Sequence, residues 1–445
     1  MVINGPALGG TGHDGRWRRL VREANRPVPI NPLIALRVAF GLLLFISSIR
    51  FMANGWIRQF YVEPLFHFTY WGFGWVKPLP EAALWAIFLL QALAALLIAA
   101  GLFYRLSMVS FFLLFTYVEL LDKAYYLNHY YLISVLSFIL IFLPLNAAWS
   151  LDVRWGRRQA QPFVPAWLVW LVRMQLGLVY FYAGVAKLNA DWLLAAQPLT
   201  IWLRARTAVP LIGPWLDYRW VAYLMSWAGL LFDLTVPFWL SWSRSRTTAY
   251  GAVVVFHLLT GLLFPIGMFP YIMIGLTLVF FPWTRGESEE APAGPAPTLP
   301  RPATILLGLV LASQLLLPWR HLLFPGPVNW TEEGFRYAWR VMLVEKTGSA
   351  VFTQLEPATG RTQLILPGDY LTGIQEKQMS FQPDMIQQFA RFLEATAGHD
   401  VVITAEVYVS WNGRGSQPLI DPTVDLTAQP ISLAHRPWIL QAGAQ

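Results

Sequence analysis

Not one of the 445 residues is a cysteine, and only 13% are charged. The missing thiols exclude disulfides, thiolate nucleophiles, iron–sulfur clusters and cysteine-ligated zinc. The shortage of charge excludes more, because a soluble protein of this size carries about 25% charged residues. Apolar residues take their place: 56% of the chain is hydrophobic, with 22 Trp and 29 Phe. The sequence therefore reads as a polytopic α-helical membrane protein. A formal net charge of +7 is then a marker of topology and not of nucleic-acid binding, since basic residues collect in cytoplasmic loops.

A cleavable signal is also missing. Residues 1–31 are polar and basic (Arg16, Arg18, Arg19, Arg22, Arg26) and run straight into an apolar stretch, as a cytoplasmic tail does before a first spanning helix. Apolar runs place about nine spanning helices near 32–49, 82–103, 106–121, 131–148, 166–186, 220–241, 247–264, 267–283 and 303–319, each long enough for a hydrocarbon core of about 30 Å. With the N-terminus inside, Arg105, the group Arg154, Arg157 and Arg158, the pair Arg244 and Arg246, and Arg285 with Arg301 all fall in cytoplasmic loops. The membrane domain is thus 32–319, with a Pro- and Glu-rich cytoplasmic linker at 284–302.

Beyond 320 the pattern changes, and an odd number of spans leaves residues 320–445 outside. Val401, Ile403, Ala405, Val407, Val409 and Trp411 alternate with Thr404, Glu406, Tyr408 and Ser410, which predicts a half-buried strand. Further strands are expected at 337–346, 349–355 and 361–366. An amphipathic helix starts near Pro383, carries Met385, Phe389, Phe392 and Leu393 on one side, and ends before Gly398. The expected architecture is a helical membrane domain followed by a mostly-β extracytoplasmic domain.

Ionisable groups inside a membrane are costly, so each is a candidate for function. The segment Tyr180-Phe181-Tyr182-Ala183-Gly184-Val185-Ala186-Lys187 delivers one lysine among aromatic rings at the end of an apolar helix. Desolvation favours the neutral amine, which can act as a general base; an interfacial lysine snorkelling to the surface gives the same pattern. His257 lies within an apolar span that is followed by the Pro- and Gly-broken turn Phe264 to Tyr271. It is either a ligand-facing imidazole or a core histidine bonded between helices. Glu119, Asp122, Lys123, Asn128 and His129 cluster at the junction of the third and fourth spans, where interfacial salt bridges are the simpler reading. Asp233 partners a buried cation or packs helices. No pair of histidines and carboxylates has the spacing of a metal-binding helix, so no metal is expected. The rings near Lys187 and His129 suit a flat, quinone-like or isoprenoid ligand.

Taken in order, these segments resemble the vitamin K-dependent gamma-glutamyl carboxylases. Tyr180 to Trp192 is similar to the family's Ala-Gly-x-Lys-Lys-Leu-Asp-Ala-Asp-Trp signature, with Ala186-Lys187 in place of the paired lysines and Asn189 in place of the first Asp. Leu121-Asp122-Lys123 with Asn128-His129, Phe256-His257 with Ile266-Gly267-Met268-Phe269, Val409-Ser410-Trp411-Asn412 and Asp421-Pro422-Thr423-Val424-Asp425-Leu426 resemble further family segments from about residue 31 to 440. After His257 the family's polar run is replaced by Leu258, Leu259, Thr260 and Gly261. The resemblance implies an enzyme that couples oxygenation of reduced vitamin K, a naphthohydroquinone, to its 2,3-epoxide with deprotonation of a glutamate γ-carbon and addition of CO2. It implies Lys187 as the base, His129 and His257 as groups that orient quinone oxygens, and Tyr182, Asn128, Trp192, Met268 and Phe269 as quinone contacts. A glutamate-containing extracytoplasmic peptide or protein, the lipid membrane and a quinone reductase are the implied partners. The cysteine-free chain cannot carry the disulfide of the animal members, which points to a bacterial inner membrane. Two alternatives stand beside this reading: a quinol epoxidase without carboxylation, and a non-enzymatic quinone- or lipid-binding membrane protein.

Overall fold

The computed structural model describes residues 12–283 and 299–443. Residues 1–11 of the expected basic tail and 284–298 of the expected linker lie outside the described residues. A first helix, α1 (Gly12–Ala24), leads to a short strand β1 (Pro27–Pro29), which pairs antiparallel with β2 (Phe163–Pro165). The membrane helices are α2 (Asn31–Ala53), α3 (Glu81–Ala100), α4 (Tyr104–Leu121) and α5 (Asn128–Phe142). After the single turn α6 (Leu151–Arg154) come α7 (Ala166–Ala186), the short α8 (Ala190–Ala195) and α9 (Leu199–Arg204), and α10 (Arg219–Ser241). Then follow α11 (Arg246–Leu263), α12 (Phe269–Leu276) and α13 (Arg301–Leu316), the last continuing as a 3₁₀ stretch to Leu323.

Each expected apolar run coincides with an apolar helix, but their lengths differ. Among the described residues, α2, α3, α4, α7, α10, α11 and α13 with its extension, seven in all, are long and apolar enough to cross a membrane. With 15 residues, α5 rises about 22 Å, short of a core of about 30 Å. The α12 segment, which ends in a 3₁₀ turn at Phe280, is shorter still. The fourth run was expected to reach residue 148, and the structure stops it at Phe142. Pro144 follows, and the buried Arg37 of α2 takes up the carbonyls of Leu145 (3.0 Å) and Trp149 (2.6 Å) as hydrogen-bond acceptors. Those carbonyls are satisfied by a side chain and not by a helix.

The C-terminal domain contains the turn α14 (Val328–Thr331), strands β3 (Lys346–Glu356) and β4 (Arg361–Ile365), helices α15 (Gly373–Met379) and α16 (Pro383–Ala397), and strands β5 (Val402–Trp411) and β6 (Gln417–Pro418). The sheet order is β4-β3-β5-β6, antiparallel throughout. Period-2 alternation holds on β5: Ile403, Ala405, Val407 and Val409 are buried, and Glu406 and Tyr408 are exposed. The apolar stripe of α16 buries Met385, Phe389 and Leu393 against the sheet. The domain is therefore a sheet backed by helices. One expected strand is absent. Residues 337–345 form no strand, and Tyr337, Trp339 and Met342 all take positive φ. Tyr337 and Trp339 both pack on Tyr131 of α5, and Met342 lines the membrane-domain cavities, so contacts with the membrane domain override the expected strand.

Asp122 and Lys123, adjacent in sequence, do not pair with each other. Asp122 accepts from Gln375 (2.7 Å) and faces His67 (3.2 Å), while Lys123 donates to Asp384 (2.6 Å) of α16. Arg336 donates to the same carboxylate at 2.8 Å. Burial alone would raise the Asp384 carboxyl, but Arg336 and Lys123 outweigh it and hold it far below the usual carboxylate range. Burial pulls Lys123 the other way, down to about 8, against the attraction of Asp384. Because Asp384 is more acidic folded than unfolded, its contribution to stability is complete above about pH 5 and is lost as the pH falls through and below 4. Asp384→Asn should cost about 3 kcal/mol at pH 7. Thermal unfolding between pH 3.5 and 7 should show a flatter acid limb for the variant than for the parent; parallel limbs would count against the network.

Candidate active site

Three and four residues along α7, Tyr180, Ala183 and Lys187 fall on one face and look into a narrow apolar chamber. Lys187 is the residue at which α7 ends, and its amine is turned back into the protein, away from solvent. Nζ donates to Oδ2 of Asp233 (2.8 Å) and to the carbonyl of Ala183 (3.2 Å), and it lies 5.1 Å from the centre of the Trp192 ring. Asp233 comes from the middle of α10 and is buried as well. Its role, open in the sequence, is that of partner to a buried cation. The snorkelling arrangement does not occur.

A close helix approach makes this pair possible. A Cβ placed on Gly184 would stand 2.8 Å from the Leu234 side chain and 2.9 Å from its backbone nitrogen, so only glycine lets α7 and α10 come this near. The turn after Lys187 is then fixed by Asn189, whose side chain accepts from the Trp192 amide (3.0 Å) and donates to the Ala186 carbonyl (3.0 Å). Trp192 in turn donates its indole N–H to the Ser226 carbonyl of α10 at 2.8 Å. Asn189 stands where the resembled signature has Asp, and it still performs the N-cap of α8.

On the facing wall, His257 of α11 lies 2.9 Å from the Tyr180 hydroxyl through Nε2, while its Nδ1 is buried with no hydrogen-bond partner among the described residues. Trp202, Phe256, Phe264, Ile266, Phe269, Val341 and Met342 close the chamber. Its free volume is about 80 Å³. His129 borders a different and larger cavity of about 660 Å³, lined also by Arg50, Tyr126, Asn128 and Met268. The two cavities share Ile266, Phe269, Val341 and Met342 as a common partition. The Phe269 ring stands between the histidines, 5.7 Å from His129 and 5.6 Å from His257.

The structure thus joins Lys187, His257, Trp192 and Phe269 in one chamber, and places His129, Asn128 and Met268 next door. Both ends of the Asn128 amide are engaged: it donates to the Arg340 carbonyl (2.9 Å) and accepts from Tyr126 (3.1 Å), so it holds the 337–342 loop. Tyr182 is on the far side of α7, donating to Leu315 (2.7 Å) and accepting from Trp319 (3.0 Å). Sequence reading missed Val341 and Met342, because the expected strand at 337–346 gave no reason to send them into a membrane cavity. It also had no sign of the Tyr180–His257 contact beyond two polar groups on apolar helices.

A lone amine, a carboxylate and an imidazole with one free nitrogen, walled by aromatic rings and shut from water, can hold and pass a proton at an apolar ligand. Comparison with known proteins bears on this arrangement at both ends of the chain. The family model described as HTTM domain matches residues 25–284, which covers both cavities' membrane walls. A model described as Vitamin K-dependent gamma-carboxylase, lumenal domain, matches residues 300–445, which supplies the Val341 and Met342 side of the partition. No solved structure matches the chain. With both halves matched in order, the chain belongs to the vitamin K-dependent gamma-carboxylase family, as a membrane protein with a C-terminal domain of the family's lumenal type.

Proposed function

We propose that this protein carboxylates glutamate side chains at the expense of a reduced naphthoquinone, with Lys187 as the base that starts the reaction. The observation that carries the reading is the Lys187–Asp233 pair, 2.8 Å apart and buried in an apolar chamber. The residues suit a reduced vitamin K ring: flat aromatic walls, an amine, and in His257 Nδ1 a buried nitrogen without a partner among the described residues. When bound, that quinol supplies, through oxygenation to its 2,3-epoxide, the strong base that takes the glutamate γ-hydrogen before CO2 adds. Lys187 Nζ would accept a phenolic proton once the proton it shares with Asp233, 2.8 Å away, has passed to that carboxylate; the pair then holds both protons, one on the amine and one on the carboxyl, opposite the phenolate. His257 Nδ1 orients a ring oxygen, and the aromatic walls keep water from quenching the reactive species.

Room for a two-ring head comes from the partition. A cavity of about 150 Å³ takes up a single benzene ring, against about 80 Å³ beside the amine for a two-ring head. Phe269 and Met342 therefore move aside for the ring to reach Lys187, and His129 meets it from the larger cavity. The reading is tested by supplying purified protein with reduced vitamin K, oxygen, radiolabelled CO2 and a glutamyl peptide. Label in the peptide supports it. Epoxide without label selects an oxygenase that has lost carboxylation, and unconsumed quinol selects a binding protein. The product epoxide implies a quinone reductase nearby to regenerate the quinol.

Gly184→Val pushes α7 from α10 and should lower turnover by about 10²-fold, the scale of an ångström's misplacement, with a smaller loss of stability of about 1–3 kcal/mol from overpacking. Turnover at saturating quinol, read beside the melting temperature, separates the two effects. On this reading the C-terminal domain lies outside a bacterial inner membrane and the N-terminus in the cytoplasm, as the basic loops suggest. The absence of cysteine makes this simple to examine. Ala358→Cys, in the exposed hairpin between β3 and β4, should react with an impermeant maleimide in intact cells, and Arg105→Cys only after lysis. The reverse labelling would invert the topology.

A further inference from the structure

Across α7 from Lys187 lies a cavity of about 380 Å³ that the chemistry above does not use. Helical phase separates the two: Tyr180, Ala183 and Lys187 face the amine chamber, while Tyr182, Val185, Ala186 and Asn189 line the far cavity. Arg340 lines it from the C-terminal domain, donating Nη1 to Asn329 Oδ1 (3.2 Å) and Nη2 to His321 Nε2 (3.2 Å). The other ring nitrogen of His321 is 2.8 Å from the Pro318 carbonyl, which leaves Nε2 as the acceptor. Neither partner of Arg340 is an anion. The carboxylate in this cavity, Asp191, is already claimed by Arg414 (2.5 and 2.9 Å) and Asn412 (2.8 Å). Among the described residues Arg340 forms no ion pair, and burial pulls its guanidinium down to about 10, still charged at neutral pH.

The rim of the cavity is apolar and outward-facing. It lies where α7 and the 3₁₀ extension of α13 end on the side of the C-terminal domain; Leu188 and Trp319 line it and are exposed, and Leu316, Leu322 and Leu323, which flank its lining residues Pro318, Trp319 and His321 in sequence, are exposed as well. A guanidinium without an ion-pair contact, its nearest acting carboxylate Glu332 already paired with Lys346, set beside the exposed Leu188 and Trp319 at the end of membrane helices, matches a phosphate and its acyl chains. We propose that this cavity seats the headgroup of an anionic phospholipid from the leaflet on the side of the C-terminal domain, with Arg340 on the phosphate and the exposed leucines along the acyl chains. A zwitterionic headgroup would bring a second cation into a cavity that already holds one. A glutamyl carboxylate suits it less, because the rim is apolar and α7 walls the cavity off from Lys187.

The test is native mass spectrometry of the full chain in detergent, titrated separately with phosphatidylglycerol, phosphatidylcholine, inorganic phosphate and a glutamyl peptide. Wild type should retain one phosphatidylglycerol in preference to phosphatidylcholine, and Arg340→Gln should weaken that retention about tenfold, the scale of a lost charge-assisted bond to phosphate. Reduced-naphthoquinone binding should be unchanged in the variant, which separates this site from the catalytic one. Equal retention by wild type and Arg340→Gln overturns the proposal, as does displacement of the lipid by inorganic phosphate or by the peptide at matched concentration. If Arg340→Gln does not fold, the exposed pair Leu322→Asn with Leu323→Asn decides: loss of selective retention supports the site, and unchanged retention overturns it.

Discussion

Lys187→Ala should lower both epoxide formation and CO2 fixation by about 10³–10⁴-fold, at the upper end of what a single general base contributes. The two activities should fall together because, in the proposed mechanism, one proton removal precedes both. Quinol affinity should change little, since on the proposed reading the aromatic walls Trp192, Trp202, Phe256 and Phe264, and not the amine, would hold the ring. Measuring epoxide by chromatography and fixed CO2 by radiolabel in the same reaction checks this. Retention of epoxide formation with loss of carboxylation alone would remove Lys187 from the first step and place it later.

Asp233→Asn carries the second large effect. Removing the negative charge 2.8 Å from the amine takes away what steadies the ammonium, with an expected loss of about 10²-fold in turnover. It also leaves a buried cation without its counter-ion, at a cost of about 3–5 kcal/mol. These two consequences can be told apart. The double variant Lys187→Met with Asp233→Leu replaces the pair by apolar residues of similar size and should recover the stability to within about 1 kcal/mol while restoring no activity. A double variant that turns over quinol would reduce the pair to a structural salt bridge.

Much of this arrangement could be read before any coordinates. Long apolar runs identify the helices because the bilayer imposes both length and composition, and the alternation along 401–411 identifies β5 because one of its faces is buried. Lys187 stands out as the cation that closes a long apolar, aromatic-rich helix. What sequence withheld was pairing at a distance. Lys187 and Asp233 meet only because Gly184 lets two helices touch, and Tyr180 finds His257 on a helix 77 positions away. Periodicity could have gone further in one case. Tyr182 is five residues from Lys187, about 140° around the helix, whereas Tyr180 at seven residues is nearly in line. The loop at 337–345 was not legible at all, since its conformation is decided by Tyr131 and the cavities and not by its own residues.

The ties at Asp384 set where this protein can be divided. Phe68 and Ala124, from the membrane half, sit in the hydrophobic core of the C-terminal half, and Gln375 and Gln388 hold the carbonyls of Phe66 and Thr69. The seam in the covalent chain near residue 300 is therefore not the seam in three dimensions. A chimera that exchanged C-terminal domains between two family members at that point would inherit a mismatched core and a mismatched wall for the Lys187 chamber. Grafts would have to carry the 62–80 loop and the 122–130 junction with the domain they serve.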